Sequence, residues 1–152
     1  KPLIFRLIGV CAALRATGKP YIIENVEDAL PELIDPIMLC GQSFGLRTYR
    51  HRLFESNMHL VQPEPEGLLA GPMESCGFDH PYPLIKMGRA IPDGKFYHAV
   101  GHFSGVDLVR RDLGVPWMSR EGINQCIPPA YTEYLGRQLI GQLTLTHGGT
   151  RP

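Results

Sequence analysis

The chain has 152 residues, about the length of one domain, and 43% of them are hydrophobic, an ordinary fraction for a globular protein with a buried core. Fifteen basic and fifteen acidic residues give a formal charge of zero, so bulk charge argues neither for nor against nucleic acid, and any basic surface must be local. No apolar run approaches the ~20 residues of a membrane span, and Lys1 to Arg6 lacks the order of a signal peptide. Cys11, Cys40, Cys76 and Cys126 are irregularly spaced with no Cys-x-x-Cys, which predicts free, mostly buried thiols in a reducing cytoplasm. The chain starts directly in apolar periodic sequence, as expected for the interior of a longer protein cut upstream.

Leu3, Ile4, Leu7, Ile8, Val10, Cys11 and Leu14 recur at helical spacing, and Thr17-Gly18-Lys19-Pro20 ends that helix. Tyr21 to Val26 reads as a short buried strand. A helix, a tight turn and an apolar strand make the rhythm of an α/β sheet with parallel strands, where ligands sit beyond the carboxyl ends. Pro31 to Pro36 is a connector, Ile37 to Cys40 a second strand closed by Gly41, and Leu53 to Glu55 another short strand. From Asn57 to Val115 no long period survives, and six prolines lie between Pro63 and Pro92, so the segment reads as a loop-rich insert or small second domain. A helix is predicted from about Pro129 to Leu143, with Leu135, Leu139, Ile140 and Leu143 on its apolar face, followed by a frayed tail from Thr146 to Pro152.

Four groups of residues can carry chemistry. Glu24 and Asn25 close the first strand. A Glu in a half-buried cleft can have a raised pKa and donate a proton near neutral pH, and an amide beside it could fix a ring edge. Taken alone, Asn25 as the cap of a helix through Leu30 is the simpler reading. Arg47, Arg50 and Arg52 with His51 form a local basic cluster, and on a strand Arg50 and Arg52 would share a face suited to a phosphate or carboxylate. A solvated edge strand fits the same pattern. His98 with His102, and Cys76 with His80, have the four-residue spacing of metal ligands, but no second pair accompanies them at recognisable spacing, and loop roles are expected with no metal. Asn124 to Pro129 is a polar turn locked by two prolines, either a plain helix start or a place where backbone and amide groups touch a ligand.

In this order and spacing, the pieces resemble the C-terminal part of a DNA cytosine-5 methyltransferase of the compact phage and bacterial type. Glu24-Asn25-Val26 is similar to the Glu-Asn-Val of motif VI. Thr48-x-Arg50-x-Arg52 is similar to the Gln-x-Arg-x-Arg of motif VIII with Thr for Gln, and Gln125-x-Ile127-Pro128-Pro129 to the Asn-x-Val-Pro-Pro of motif X with Gln for Asn. The runs Leu39-Cys40-Gly41-x-x-Phe44-Gly45-Leu46 and Ile127 to Tyr134 resemble the same compact enzymes, and Trp117 to Glu121 stands where motif IX would.

The resemblance implies an α/β fold, the C-terminal part of a Rossmann-like S-adenosylmethionine-dependent methyltransferase with a loop-rich target recognition insert. Residues 1–54 would be the second half of the catalytic domain, 55–112 the recognition region, 113–145 the motif IX/X region and 146–152 a tail. It implies methyl transfer to carbon 5 of a cytosine flipped out of duplex DNA, in a bacterial or phage-infected cytoplasm, and an association with restriction-modification. Glu24 would protonate or hydrogen-bond ring N3, Asn25 would support the nucleophile loop, and Arg52 with Arg50 would hold the flipped nucleotide. Asn124, Gln125 and Ile127 would touch S-adenosylmethionine. Duplex DNA would be the partner, read in the major groove by the insert.

Two family elements do not occur: there is no Pro-Cys dipeptide and no Phe-x-Gly-x-Gly cofactor loop. Both belong upstream of Lys1 in this family, so the chain is expected to be inactive alone and to need an N-terminal half or a complementary chain. Two other readings remain: a non-catalytic DNA-recognition subunit or degenerate remnant, and an unrelated α/β ligand-binding protein.

Overall fold

The computed structural model describes residues 2–63, 80, 84–86, 91–92 and 94–147. Helix α1 spans Pro2–Arg15 and stops where Gly18 turns into the left-handed region (φ 64°) ahead of Pro20. Strand β1 is Ile22–Asn25, followed by the 3-10 turn Glu27–Glu32; β2 is Ile37–Leu39, and a second 3-10 turn, Gly41–Phe44, leads toward β3, Arg52–Ser56. Next come β4 (Leu84–Lys86) and β5 (Phe96–His98), which pair in parallel, then α2 (Val106–Leu113), α3 (Arg120–Gln125) and α4 (Pro129–His147). The chain is mixed α/β.

The main sheet differs from the parallel one expected. Its order is β1-β3-β2, and both pairings are antiparallel. β1 and β2 therefore run in one direction, with β3 reversed between them. The cause is the short return after β2: the 3-10 turn Gly41–Phe44, followed by Gly45 at φ 70°, and the turn through Arg50 at φ 39° reverse the chain, and a close reversal delivers an antiparallel neighbour. The Asn25 cap is also not formed. The helical turn starts at Glu27 after Val26, with no side-chain cap bond, and Asn25 Oδ1 accepts from the Val26 N–H at 2.9 Å.

Strand alternation sorts the core into two layers. Ile23, Met38, Cys40 and Leu53 pack with Cys11 and Leu14 of α1, while Leu39 and Phe54 pack with Tyr131 and Leu135 of α4. The sheet thus lies between two helices. A further apolar cluster joins Tyr97 and Ala99 to Val109 and Leu113 of α2 and Ile123 of α3. Helix α2 was not foreseen within the irregular segment, although Gly105 and Gly114 bracket it, and Val109 and Leu113 stand four apart on its buried face. Helix α4 runs four residues past the expected Leu143, with no Gly or Pro between Leu143 and His147 to break it.

Buried in the α1 layer is an unforeseen carboxylate. Glu55, 1% exposed, accepts from Arg15 Nε at 2.7 Å and Nη2 at 2.5 Å, from the Tyr21 hydroxyl at 2.9 Å and from the Ile34 N–H at 2.8 Å. Of the thiols predicted to be buried, Cys11, Cys40 and Cys126 are so; Cys76 lies outside the described residues. Among the described residues, no helix is long and apolar enough to cross a membrane.

Candidate functional site

Glu24 opposes Phe54 across the β1–β3 ladder, so Arg52, two residues before Phe54 on the same face, is its diagonal neighbour. Arg52 Nε meets Glu24 Oε1 at 3.1 Å, and Arg52 Nη1 donates to the His51 carbonyl at 2.7 Å. The Glu24 side chain is 29% exposed and that of Arg52 16%. Partial burial raises the Glu24 pKa, and the Arg52 and Arg50 charges oppose that rise without cancelling it. The direction is the one a proton donor needs.

Asn25 departs from the side-by-side arrangement expected. Consecutive strand residues point to opposite faces, so with Leu53 as its cross-strand partner Asn25 is aimed at the α1 layer, away from Glu24.

Arg50 departs further. It precedes β3, in a left-handed conformation, and does not share a strand face with Arg52. Its Nε donates to the Cys126 carbonyl at 2.7 Å, and its Nη2 to the carbonyls of Ile123 at 2.8 Å and Asn124 at 3.0 Å. These carbonyls stand at the end of α3, where backbone donors run out; that of Ile123 also accepts from the Cys126 N–H at 3.3 Å. A guanidinium presents several N–H groups in a fixed fork, and here that fork satisfies one turn of backbone. Burial, and next the Arg52 charge, pull the Arg50 pKa below its usual value. Arg47 stands apart, with Nε 3.8 Å from Asp112 Oδ1.

Around this turn sit two residues that sequence reasoning passed over. Tyr131, fully buried on α4, reaches the carbonyls of Tyr49 at 3.2 Å and Arg50 at 3.1 Å with its hydroxyl. Tyr131→Phe is expected to cost about 1 kcal/mol in chemical denaturation, the net worth of one buried hydrogen bond. Gly41 carries the closest approach: its N–H donates to the Tyr49 carbonyl at 2.6 Å, and a Cβ there would lie 2.0 Å from the Thr48 carbonyl oxygen. Gly41→Ala must therefore displace the segment leading into Arg50, and a loss of roughly 2 kcal/mol is expected, read as a lowered denaturation midpoint. The signal for Gly41 was in the sequence, as the glycine closing β2.

The turn from Asn124 to Pro129 divides its labour. Asn124 Nδ2 donates to the Gly101 carbonyl at 3.2 Å, while its Oδ1 is buried without a hydrogen-bond partner among the described residues. Gln125 is exposed, and Ile127 is partly buried against the α4 cluster. Cys126 is buried, and burial pushes its thiol up against the pull of Arg50 and Arg52, which favours the protonated form.

A cavity of about 440 Å³, of the size that ligand pockets have, is lined by Val26, Thr48, Arg50, His51, Arg52 and His98 among others. Through Arg52 it is continuous with the Glu24 pair. His98 ends β5, and Gly101 at φ 65° follows, so no helix aligns His98 with His102. The pair of Cys76 with His80 cannot be followed, since Cys76 lies outside the described residues.

No protein-family model, curated protein or solved structure matches the chain.

Proposed function

We propose that the chain is the C-terminal part of a DNA cytosine-5 methyltransferase, and that Glu24 is the acid that engages ring N3 of a flipped-out cytosine. The observation that carries this reading is the meeting of three distant segments: Arg52 grips Glu24, while its neighbour Arg50 grips the carbonyls of residues 123, 124 and 126. These are the three segments whose residues resemble motifs VI, VIII and X.

In this scheme the elevated pKa keeps Glu24 protonated more readily than a surface carboxyl. Arg52 engages Oε1, leaving Oε2 to face N3. Transfer of the Glu24 proton to N3 makes carbon 6 more electrophilic, and the carboxylate left behind is stabilised by the Arg52 guanidinium. Arg50 acts as a positioning residue. Its donors are committed to the turn before α4, so the basic segment and the motif X turn move as one body. Flipping is required because the reactive carbon is inaccessible in the stack.

S-adenosylmethionine, when bound, supplies the methyl group. The unpartnered Asn124 Oδ1 and the exposed Gln125 amide suit one polar edge of that cofactor. On this reading the attacking thiolate is supplied from upstream of Lys1, as the resemblance implies, since no Pro-Cys occurs and burial favours the thiol form of Cys126.

The test is transfer of tritium from labelled S-adenosylmethionine to cytosine in random-sequence duplex DNA. It compares the 152 residues alone with the protein extended by its native upstream sequence. Label in DNA from the extended protein only is the expected result. Duplex binding by the extended protein without any label would favour a recognition subunit, and neither binding nor label would overturn the assignment.

A further inference from the structure

A second constellation lies beside the Arg52 cavity, and methyl transfer has no use for it. Cys40 follows β2 and is fully buried on the α1 side of the sheet. His51 belongs to the basic turn, and His80 is brought in from 29 residues further along the chain. His80 is stacked on Tyr49, with ring centroids 3.9 Å apart and planes inclined by 27°. Their donor atoms converge: Cys40 Sγ is 3.5 Å from His80 Nε2, His51 Nε2 is 3.3 Å from His80 Nε2, and all three lie within 4.8 Å of one another.

Those separations can be set against a metal's demands. With zinc–sulfur bonds of about 2.3 Å and zinc–nitrogen bonds of about 2.05 Å, the edges of a tetrahedron are about 3.6 Å for sulfur–nitrogen and about 3.4 Å for nitrogen–nitrogen. The two measured edges fall within 0.1 Å of these values. The third, at most 4.8 Å, needs to close by no more than about 1.2 Å (4.8 less 3.6).

The tautomer is also arranged. Glu27 Oε1 lies 2.5 Å from His51 Nδ1, so the Nδ1–H donates to the carboxylate and the Nε2 lone pair faces the cluster. A carboxylate behind a ligating imidazole is the usual support of a metal-bound histidine.

We propose that Cys40, His51 and His80 bind one divalent zinc-type ion, with Glu27 orienting His51. A thiolate with two imidazoles selects zinc over the oxygen-seeking calcium or magnesium. His51 and His80 both line the 440 Å³ cavity, which gives the ion an open fourth position for water. On binding, the Cys40 thiol proton leaves to solvent and a sulfur–metal bond forms. One thiolate and the Glu27 carboxylate offset the ion's charge beside Arg50 and Arg52. The ion would tie β2, the basic turn and the His80 segment together. The inference is independent of the methyl-transfer reading, since it concerns metal affinity alone.

The experiment titrates the chain, reduced and freed of metal by a chelator, with Co²⁺ alone. The spectrum is read for sulfur-to-cobalt charge transfer and for the intense visible bands of a tetrahedral site, and Zn²⁺ is then added in competition. One equivalent bound with both signatures is expected, fully displaced by Zn²⁺. His80→Gln alters an exposed residue and should abolish the visible bands, while His102→Gln should leave them unchanged. Glu27→Gln is expected to weaken Zn²⁺ binding ~10-fold, as loss of a supporting carboxylate does. Cobalt bound without the sulfur band, or His80→Gln binding as tightly as the parent, would overturn the proposal.

Discussion

On the proposed methyl-transfer reading, Glu24→Gln in the protein extended by its upstream sequence is expected to slow methyl transfer to cytosine by about 10²- to 10⁴-fold, the usual worth of a positioned general acid. Duplex affinity should stay within about twofold, since the amide keeps the shape of the side chain and only the transferable proton is lost. The expectation rests on a carboxyl whose pKa burial raises against the pull of Arg52 and Arg50. The sign of the pH dependence follows. The acid must be protonated, so kcat/KM should fall as pH rises through the elevated Glu24 value, and the Gln variant should lose that limb. Equal loss of binding and turnover would mean that Glu24 holds structure and does no chemistry.

Arg15→Ala is expected to cost about 3 kcal/mol of folding stability, because it strands a buried carboxylate. Glu55 receives two of its four hydrogen bonds from Arg15. Burial pushes the Glu55 pKa up, but the bonds from Arg15, the Ile34 amide and Tyr21 outweigh it, and the net value is lowered. A carboxyl depressed in the folded state contributes stability above its unfolded pKa, and that contribution is lost as pH falls through the folded one. Acid denaturation of the parent should therefore steepen below about pH 4.5, the ordinary Glu value. In the Arg15→Ala variant, the loss at neutral pH should shrink on acidification, when Glu55 can take a proton. A urea midpoint unchanged from the parent at pH 7 would contradict this role.

What the sequence disclosed was periodic or punctuated. Helix α1, the three strands of the main sheet and α4 were legible, because Leu14 and Cys11, Ile23, Leu53 and Leu135 repeat at 3.6 or 2 and Gly18 and Pro129 mark the limits. Strand direction was not legible, since apolar alternation is blind to it; only the left-handed residues Gly45 and Arg50 make the reversal, and an arginine gives no warning of a positive φ. Glu24 was recognisable as a candidate acid; its contact with Arg52 was not. The division between Arg52, which meets Glu24, and Arg50, which meets backbone, was hidden, because carbonyl acceptors carry no residue identity. The Cys40, His51 and His80 cluster escaped for a related reason: its members sit 11 and 29 residues apart, at no spacing that a metal motif has.

The three bonds of Arg50 also constrain the order in which the molecule can assemble. Their partners lie 73 to 76 residues away, whereas Arg52 needs only the neighbouring strands to find Glu24. Closing so long a loop costs entropy that local contacts do not repay. The acid and its guanidinium can thus form with the β1–β3 ladder, and the basic turn locks only when α3 arrives. During synthesis this leaves an interval in which Arg50 faces water with its left-handed backbone unsupported, so the segment joining β2 to β3 is the part of the sheet a protease or chaperone would meet last in native form.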